Sequence, residues 1–177
     1  MDPIAFNLRS GGLVFQFVWS RRRVFVMHGR DHDVRDAVVS FLAELGVNVI
    51  VLEQQASQGQ TIIEKFERQA KGISLALALL TPDDVGYPKG RPNEAKSRAR
   101  QNVFFELGYF VARMGRKGVV ALCDGEIEFP SDLYGVVYIE RGNNDTWQIQ
   151  LIRELRACGI HVPQAYQRSR YHQRTAQ

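Results

Sequence analysis

Five short apolar runs, separated by stretches with helical periodicity, limit what this chain can fold into more than any other feature. The runs are residues 24–27, 47–52, 73–80, 119–123 and 136–139. They are continuous rather than alternating, the pattern of strands covered on both faces. Between them, residues 33–45 set Val34, Ala37, Val38, Phe41, Leu42 and Leu45 on one helical face. A second helix opens at Thr61 with Glu64 three residues on, a capping box, and turns Ile62, Ile63 and Phe66 inward. A third over 98–114 carries Val103, Leu107, Phe110, Val111 and Met114, and a fourth over 146–157 carries Ile149, Ile152 and Leu155. Strands that alternate with helices through short turns call for right-handed crossovers and a parallel sheet. The expectation is an α/β chain of flavodoxin-like type: one domain, a five-stranded parallel sheet, helices on both faces. The run 73–80 is the most apolar and belongs in the middle.

The domain is expected over 23–161, with an extension at 1–22 and a disordered tail at 162–177. Residues 1–20 read equally as an extra strand, a docking arm or sequence outside the fold. The apolar segment 13–19 is too short for a bilayer, which needs about 20 residues. Only Arg9 precedes it and no small-residue cleavage site follows, so a signal peptide is not expected. Cys123 and Cys158 stand far apart without a CxxC pattern, which argues against zinc and a disulfide framework and for a reducing cytoplasm. The net charge of +4 lies largely in the flanks, at Arg21, Arg22, Arg23, Arg168, Arg170 and Arg174. Without a basic face interleaved with aromatics, nucleic acid is not an expected partner.

In doubly wound sheets ligands bind beyond the carboxyl ends of the strands, where the winding reverses. Segments 28–31, 53–60 and 81–99 fall at those ends, and the start of the 98–114 helix points at the same crevice. The 53–60 segment is a polar loop. The 81–99 segment is a long loop with Pro82, Pro88 and Pro92, of the length that is usually functional or mobile. Residues 131–134 read as a helical turn. At about 100° per residue, Asn102, Glu106, Tyr109 and Arg113 form a polar ridge beside the buried stripe of their helix. A half-buried carboxylate is costly unless it is paired or used. Periodicity leaves both readings of Glu106 open: a surface residue paired with Arg113 or Arg100, or a working carboxylate. Phe105 points away from the stripe, toward the long loop or a neighbour. Tyr109 and Trp147 read as packing residues. Gly59 lacks a G-x-G-x-x-G context, so no Rossmann phosphate loop is expected.

The segments VFVMHGRD (24–31), SQGQTIIEKFE (57–67), LLTPDDVG (79–86), RARQNVFFELGYF (98–110) and FPSDLYGVVYI (129–139) resemble TIR-like proteins of bacterial defence. These belong to the Toll/interleukin receptor (TIR) superfamily and occur beside cyclic-nucleotide-making enzymes and as the effector half of STING-type receptors. The resemblance implies a flavodoxin-like fold and, for many members, cleavage of NAD+ into nicotinamide and an ADP-ribose product. The family's essential acid lies within N-x-x-x-E-L-G, present here from Asn102 to Gly108, which carries the catalytic role to Glu106 and sets Asn102 beside the substrate. The resemblance also implies that His28, Gly29 and Arg30, with Asp83 and Asp84, line the nucleotide crevice. The loop 53–60 would close over the nicotinamide side and contact a neighbouring subunit.

Several of these residues have plainer readings. His28 and Gly29 fit an ordinary turn in which Gly29 supplies a positive φ. Arg30 suits a pyrophosphate because guanidinium matches phosphate geometry. Asp83 and Asp84 fit a turn cap, and two adjacent acids without further spaced ligands do not make a metal site.

Breaking the nicotinamide–ribose bond leaves an oxocarbenium-like ribose, the electronic problem of glycoside hydrolysis. One carboxylate suffices, because nicotinamide leaves as a neutral ring. NAD+ is then the substrate, and no cofactor or metal is implied. The implied partners are NAD+, further copies of the chain in a homo-oligomer or filament, and a cyclic-nucleotide trigger or sensor, without membrane. Two alternatives stand beside this expectation. One is a non-catalytic TIR adaptor that works by self-association. The other is a nucleoside deoxyribosyltransferase-like enzyme, whose tyrosine-containing first loop is not evident at 28–33. Hydrolysis, cyclisation and base exchange share one intermediate, and the sequence does not separate them.

Overall fold

The computed structural model describes residues 23–51, 62–142 and 144–163. In chain order its strands are β1 (Arg23–Met27), β2 (Asn48–Val51), β3 (Ile73–Leu80), β4 (Asp84–Gly86), β5 (Lys96–Arg98), β6 (Val119–Cys123) and β7 (Val137–Glu140). The helices are α1 (His32–Glu44), α2 (Ile62–Gln69), α3 (Gln101–Met114) and α4 (Thr146–Ala157). The main sheet has five parallel strands in the order β2-β1-β3-β6-β7. The most apolar run, β3, is the central strand, with Leu77 level with Val26 on one side and Val120 on the other. The chain winds outward from β1 to β2 and then crosses to β3 on the opposite side, so the reversal falls between β1 and β3.

Alternation along the strands divides two cores. Val24, Val26, Leu75, Leu77, Leu79, Val120 and Leu122 face α1 and α4, where they meet Val38, Phe41, Leu42, Trp147 and Leu151. The other face carries small residues, Ala76, Ala78 and Ala121, under Phe66 of α2 and Phe110 of α3. Those small side chains make room for rings. Phe110 stands 4.9 Å from Phe25 and 5.6 Å from Phe66, centroid to centroid. The first helix is held at both ends: Asp31 Oδ1 accepts from the Val34 N–H at 3.0 Å, and Gly46 follows the last turn at φ 72°.

Several expectations are corrected in detail. Residues 81–99 are not an unstructured loop: β4 and β5 pair antiparallel, and a 3₁₀ turn spans Pro92–Glu94. Such short, polar strands carry no readable periodicity, and Gly86 lets the Arg98 guanidinium lie across the hairpin where a Cβ would overlap it. Ala37 is exposed rather than core, and Val111 and Met114 are only half-buried. In α4 the buried stripe is Trp147, Leu151, Ile152 and Leu155, rotated from the expected one so that Ile149 sits at its margin. Trp147 is a packing residue, its ring 5.1 Å from that of Phe41. The 131–134 turn is a 3₁₀ helix over Ser131–Leu133. The tail does not begin at 162 as expected, because Val162 is buried in the first core together with Leu155. Expectations for 1–22, 52–60, Thr61 and 164–177, and for the side chains of Ile62 and Ile63, lie outside the described residues. Among the described residues no helix is long and apolar enough to cross a membrane.

Phe110 joins three elements at the second core and is fully buried. Phe110→Ala is therefore expected to cost about 3–5 kcal/mol of stability. A urea titration checks this through a lowered midpoint at unchanged slope.

Candidate active site

The ends of β1 and β3 bring residues 28–30 and 81–84 together on both sides of the winding reversal. His28 is half-buried, with Nδ1 3.0 Å from the Gly29 carbonyl oxygen. Its pKa lies below the ordinary value, first because of burial and then because Arg35, His32 and Arg100 are positive neighbours; the Gly29 carbonyl works the other way. Gly29 does not have the positive φ expected of it. Close approach is what requires glycine here, since a Cβ would overlap the Asp83 carboxylate. Arg30 pairs with the Asp84 carboxylate and donates from Nη1 to the Asp83 carbonyl at 3.3 Å.

Asp83 turns tightly back on the strand end, its N–H donating to the Thr81 carbonyl at 2.8 Å. Asp83 Oδ2 and Thr81 Oγ1 are buried and make no hydrogen bond among the described residues. Unsatisfied buried polar atoms are uncommon and call for an explanation, a ligand donor among them. In the sequence Thr81 reads only as the first residue of the 81–99 loop, with no motif that marks it. The neighbouring strand end is braced by Arg141 Nη1, which donates to Asp124 Oδ2 at 2.6 Å.

Helix α3 brings Glu106 to this end of the sheet. Arg100 occupies the N-cap position without a side-chain cap bond, where serine, threonine, aspartate or asparagine would satisfy a helix N–H. The helix gives up that stabilisation and sets a cation at its start. Arg100 lies within electrostatic range of both His28 and Glu106, between the turn after β1 and the helix. Sequence reasoning named Arg100 only as a surface partner for Glu106. The signal was its place directly before the helix.

Burial pushes the Glu106 carboxyl up from 4.5 to about 7, with Arg100 pulling the other way. Among the described residues Glu106 makes no hydrogen bond or ion pair. The surface pairing left open by periodicity is not formed among the described residues: Arg113 donates instead to Tyr109 Oη at 3.1 Å. Tyr109 packs its ring 4.8 Å from that of Phe66. Phe105 is 61% exposed, turned away from the core as its position on the helix requires. Asn102 is exposed in the first turn of α3 and forms no hydrogen bond among the described residues. Of the residues singled out in sequence, Gly29, Arg30, Asp83 and Asp84 are therefore in direct contact. His28 and Glu106 share a cation, and Asn102 stands outside these contacts.

The elevated Glu106 value sets a pH-dependent cost. Its folded pKa lies above the unfolded one, so the native state holds the proton longer and stability falls as pH rises from 4.5 to about 7. Above that range the whole cost is present. Glu106→Gln is expected to be more stable than the parent at pH 8, by up to ~3 kcal/mol, and to lose that advantage at pH 4. Thermal melts at the two pH values check this, and a less stable variant at pH 8 would contradict it.

The family model for the TIR domain of CAP12/Pycsar effector proteins matches residues 23–143. The chain is 41% identical over 139 residues to uncharacterized protein YuaY of Escherichia coli (strain K12), covering 78% of this chain and 46% of that protein. It is 34% identical over 128 residues to protein tirC of Dictyostelium discoideum, covering 67% and 64%. Over 82 residues it is 38% identical to Pycsar effector protein PaPycTIR of Pseudomonas aeruginosa, covering 45% and 26%. The chain thus spans less than two thirds of each of these relatives. Among solved structures, the TIR domain of the Toll-related receptor TRR-2 from Hydra magnipapillata superposes with a TM-score of 0.56. The likeness covers 75% of this chain and 97% of that one at 14% identity, and is one of fold. With the matched family model spanning most of the described chain, this protein belongs to the family of CAP12/Pycsar effector TIR domains.

Proposed function

We propose that the chain is the NAD+-cleaving domain of an anti-phage effector, a glycohydrolase that breaks the nicotinamide–ribose bond. The observation that carries this reading is Glu106: a half-buried carboxylate, without a protein partner among the described residues, within the N-x-x-x-E-L-G pattern. Family membership supports it, because Pycsar effectors are among the relatives. In this reading the ionised Glu106 faces the ribose and stabilises the positive charge that grows as nicotinamide departs. Nicotinamide leaves as a neutral ring, so no general acid, metal or cofactor takes part. His28, held largely neutral by burial and positive neighbours, adds no charge to oppose the ribosyl cation. The substrate is an intracellular dinucleotide, which puts the action in the cytoplasm. Uncontrolled activity would empty the host of NAD+, so the reading includes activation by self-association and a cyclic-nucleotide signal received through the rest of the effector.

Concentrated protein incubated with NAD+ is expected to release nicotinamide, followed by chromatography. Glu106→Gln, which keeps the size and loses the charge, should lower the rate by ~10²–10³-fold. The parent rate should climb with pH up to about 7 and level off above it, because only the carboxylate works. An unchanged rate in Glu106→Gln would sink the assignment. Self-association with no nicotinamide at any protein concentration would make the chain an adaptor.

A further inference from the structure

Asp83 and Asp84 are consecutive, yet their carboxylates go to different places. Asp83 packs inward against the Cα of Gly29. Asp84 opens β4 and pairs with Arg30. The guanidinium best placed beside the winding reversal is therefore already holding an anion supplied by the protein. The other cation level with Asp84 is Arg98, its register partner on β5, and Arg98 is taken by Glu128.

We propose that Asp84 is a resident stand-in for a substrate phosphate, which holds Arg30 until a pyrophosphate takes its place. The inference rests on the site being one for a dinucleotide, and it names the part of that substrate that engages the turn after β1. Three features support it. The Arg30 and Asp84 side chains are 59% and 34% exposed, and pairs this open to water are weakly held. Both contacts that Arg30 makes among the described residues run through Nη1, a hold on one nitrogen that an anion gripping two nitrogens of the fork outcompetes. Thirdly, Asp84 has solvent to turn into, whereas the Asp83 carboxylate is packed against Gly29 with its Oδ2 buried.

The consequence is selective. A ligand that carries a pyrophosphate must separate the pair and then sits beside the released Asp84 carboxylate, which repels it. A nucleoside without phosphate meets neither obstacle. Asp84 thus weakens dinucleotide binding while Arg30 strengthens it, and the two effects pass through one contact.

The test is calorimetric binding of ADP-ribose to the parent, Asp84→Asn, Arg30→Ala and the double variant, with adenosine as the phosphate-free control. Asp84→Asn should tighten ADP-ribose about 3–10-fold, and Arg30→Ala should weaken it ~10-fold. In the double variant the gain should vanish, and adenosine should bind all four proteins alike. The inference is overturned if Asp84→Asn leaves ADP-ribose binding unchanged or weaker, if the gain persists without Arg30, or if ADP-ribose binds none of the four. ADP-ribose lacks the scissile bond. A protein that follows this binding pattern and releases no nicotinamide therefore refutes the glycohydrolase reading and leaves the role of Asp84 standing.

Discussion

The burial of β3 on all four sides is the constraint from which the rest follows. Its backbone pairs with β1 and β6, and its alternate side chains enter two separate cores. A parallel strand in this position cannot reach its neighbour by a tight turn, so each connection must be a crossover packed on one face. The crossovers carry every strand in the same direction and collect their carboxyl ends on one edge. The functional edge of the molecule is thus a by-product of how its most apolar segment is covered. Local preference did not set Asp83 against the first turn. The length of β3 and its register against β1 put it there.

The fold was largely legible because its signals are long and redundant. Eight apolar or small residues in a row, 73–80, admit few readings, and four helical stripes of ordinary period left the layer order nearly determined. Failures cluster where one contact outweighs a pattern. Gly29 looked like a positive-φ glycine and is instead a clearance for a carboxylate two strands away in the sequence. The 81–99 segment hid a hairpin because its three-residue strands, Asp-Val-Gly and Lys-Ser-Arg, show no alternation worth reading. Ala37 sits on the correct helix but beyond the width of the core.

In the site, the sequence showed which residues carry chemistry and did not show how they divide it. The position of Glu106 on its helix is enough to expose its cost. Its partner could not be read the same way, since Arg113 stands at helical spacing from Tyr109 and on the same ridge as Glu106, and the fold gives it to Tyr109. The role of Arg100 depends on the end of β1 meeting the start of α3, which no local window contains. Glu106 and Arg100 both run against local stability: one is a carboxyl raised by burial, the other a cation where a capping residue belongs. Departures of this kind gather where a chain serves something other than its own fold.

The contact between Gly29 and Asp83 has a bearing on how such a chain can vary over time. Any side chain at 29 would have to expel the carboxylate, and with it the turn that sets Arg30 and Asp84 face to face. A change at 83 would leave a hollow beside a glycine that no longer needs to be one. Neither position can drift alone without passing through a damaged intermediate, so the two form a single heritable unit. The polar lining of the crevice is in this sense less free to change than the exposed stretch 87–94 that follows it, where side chains face water.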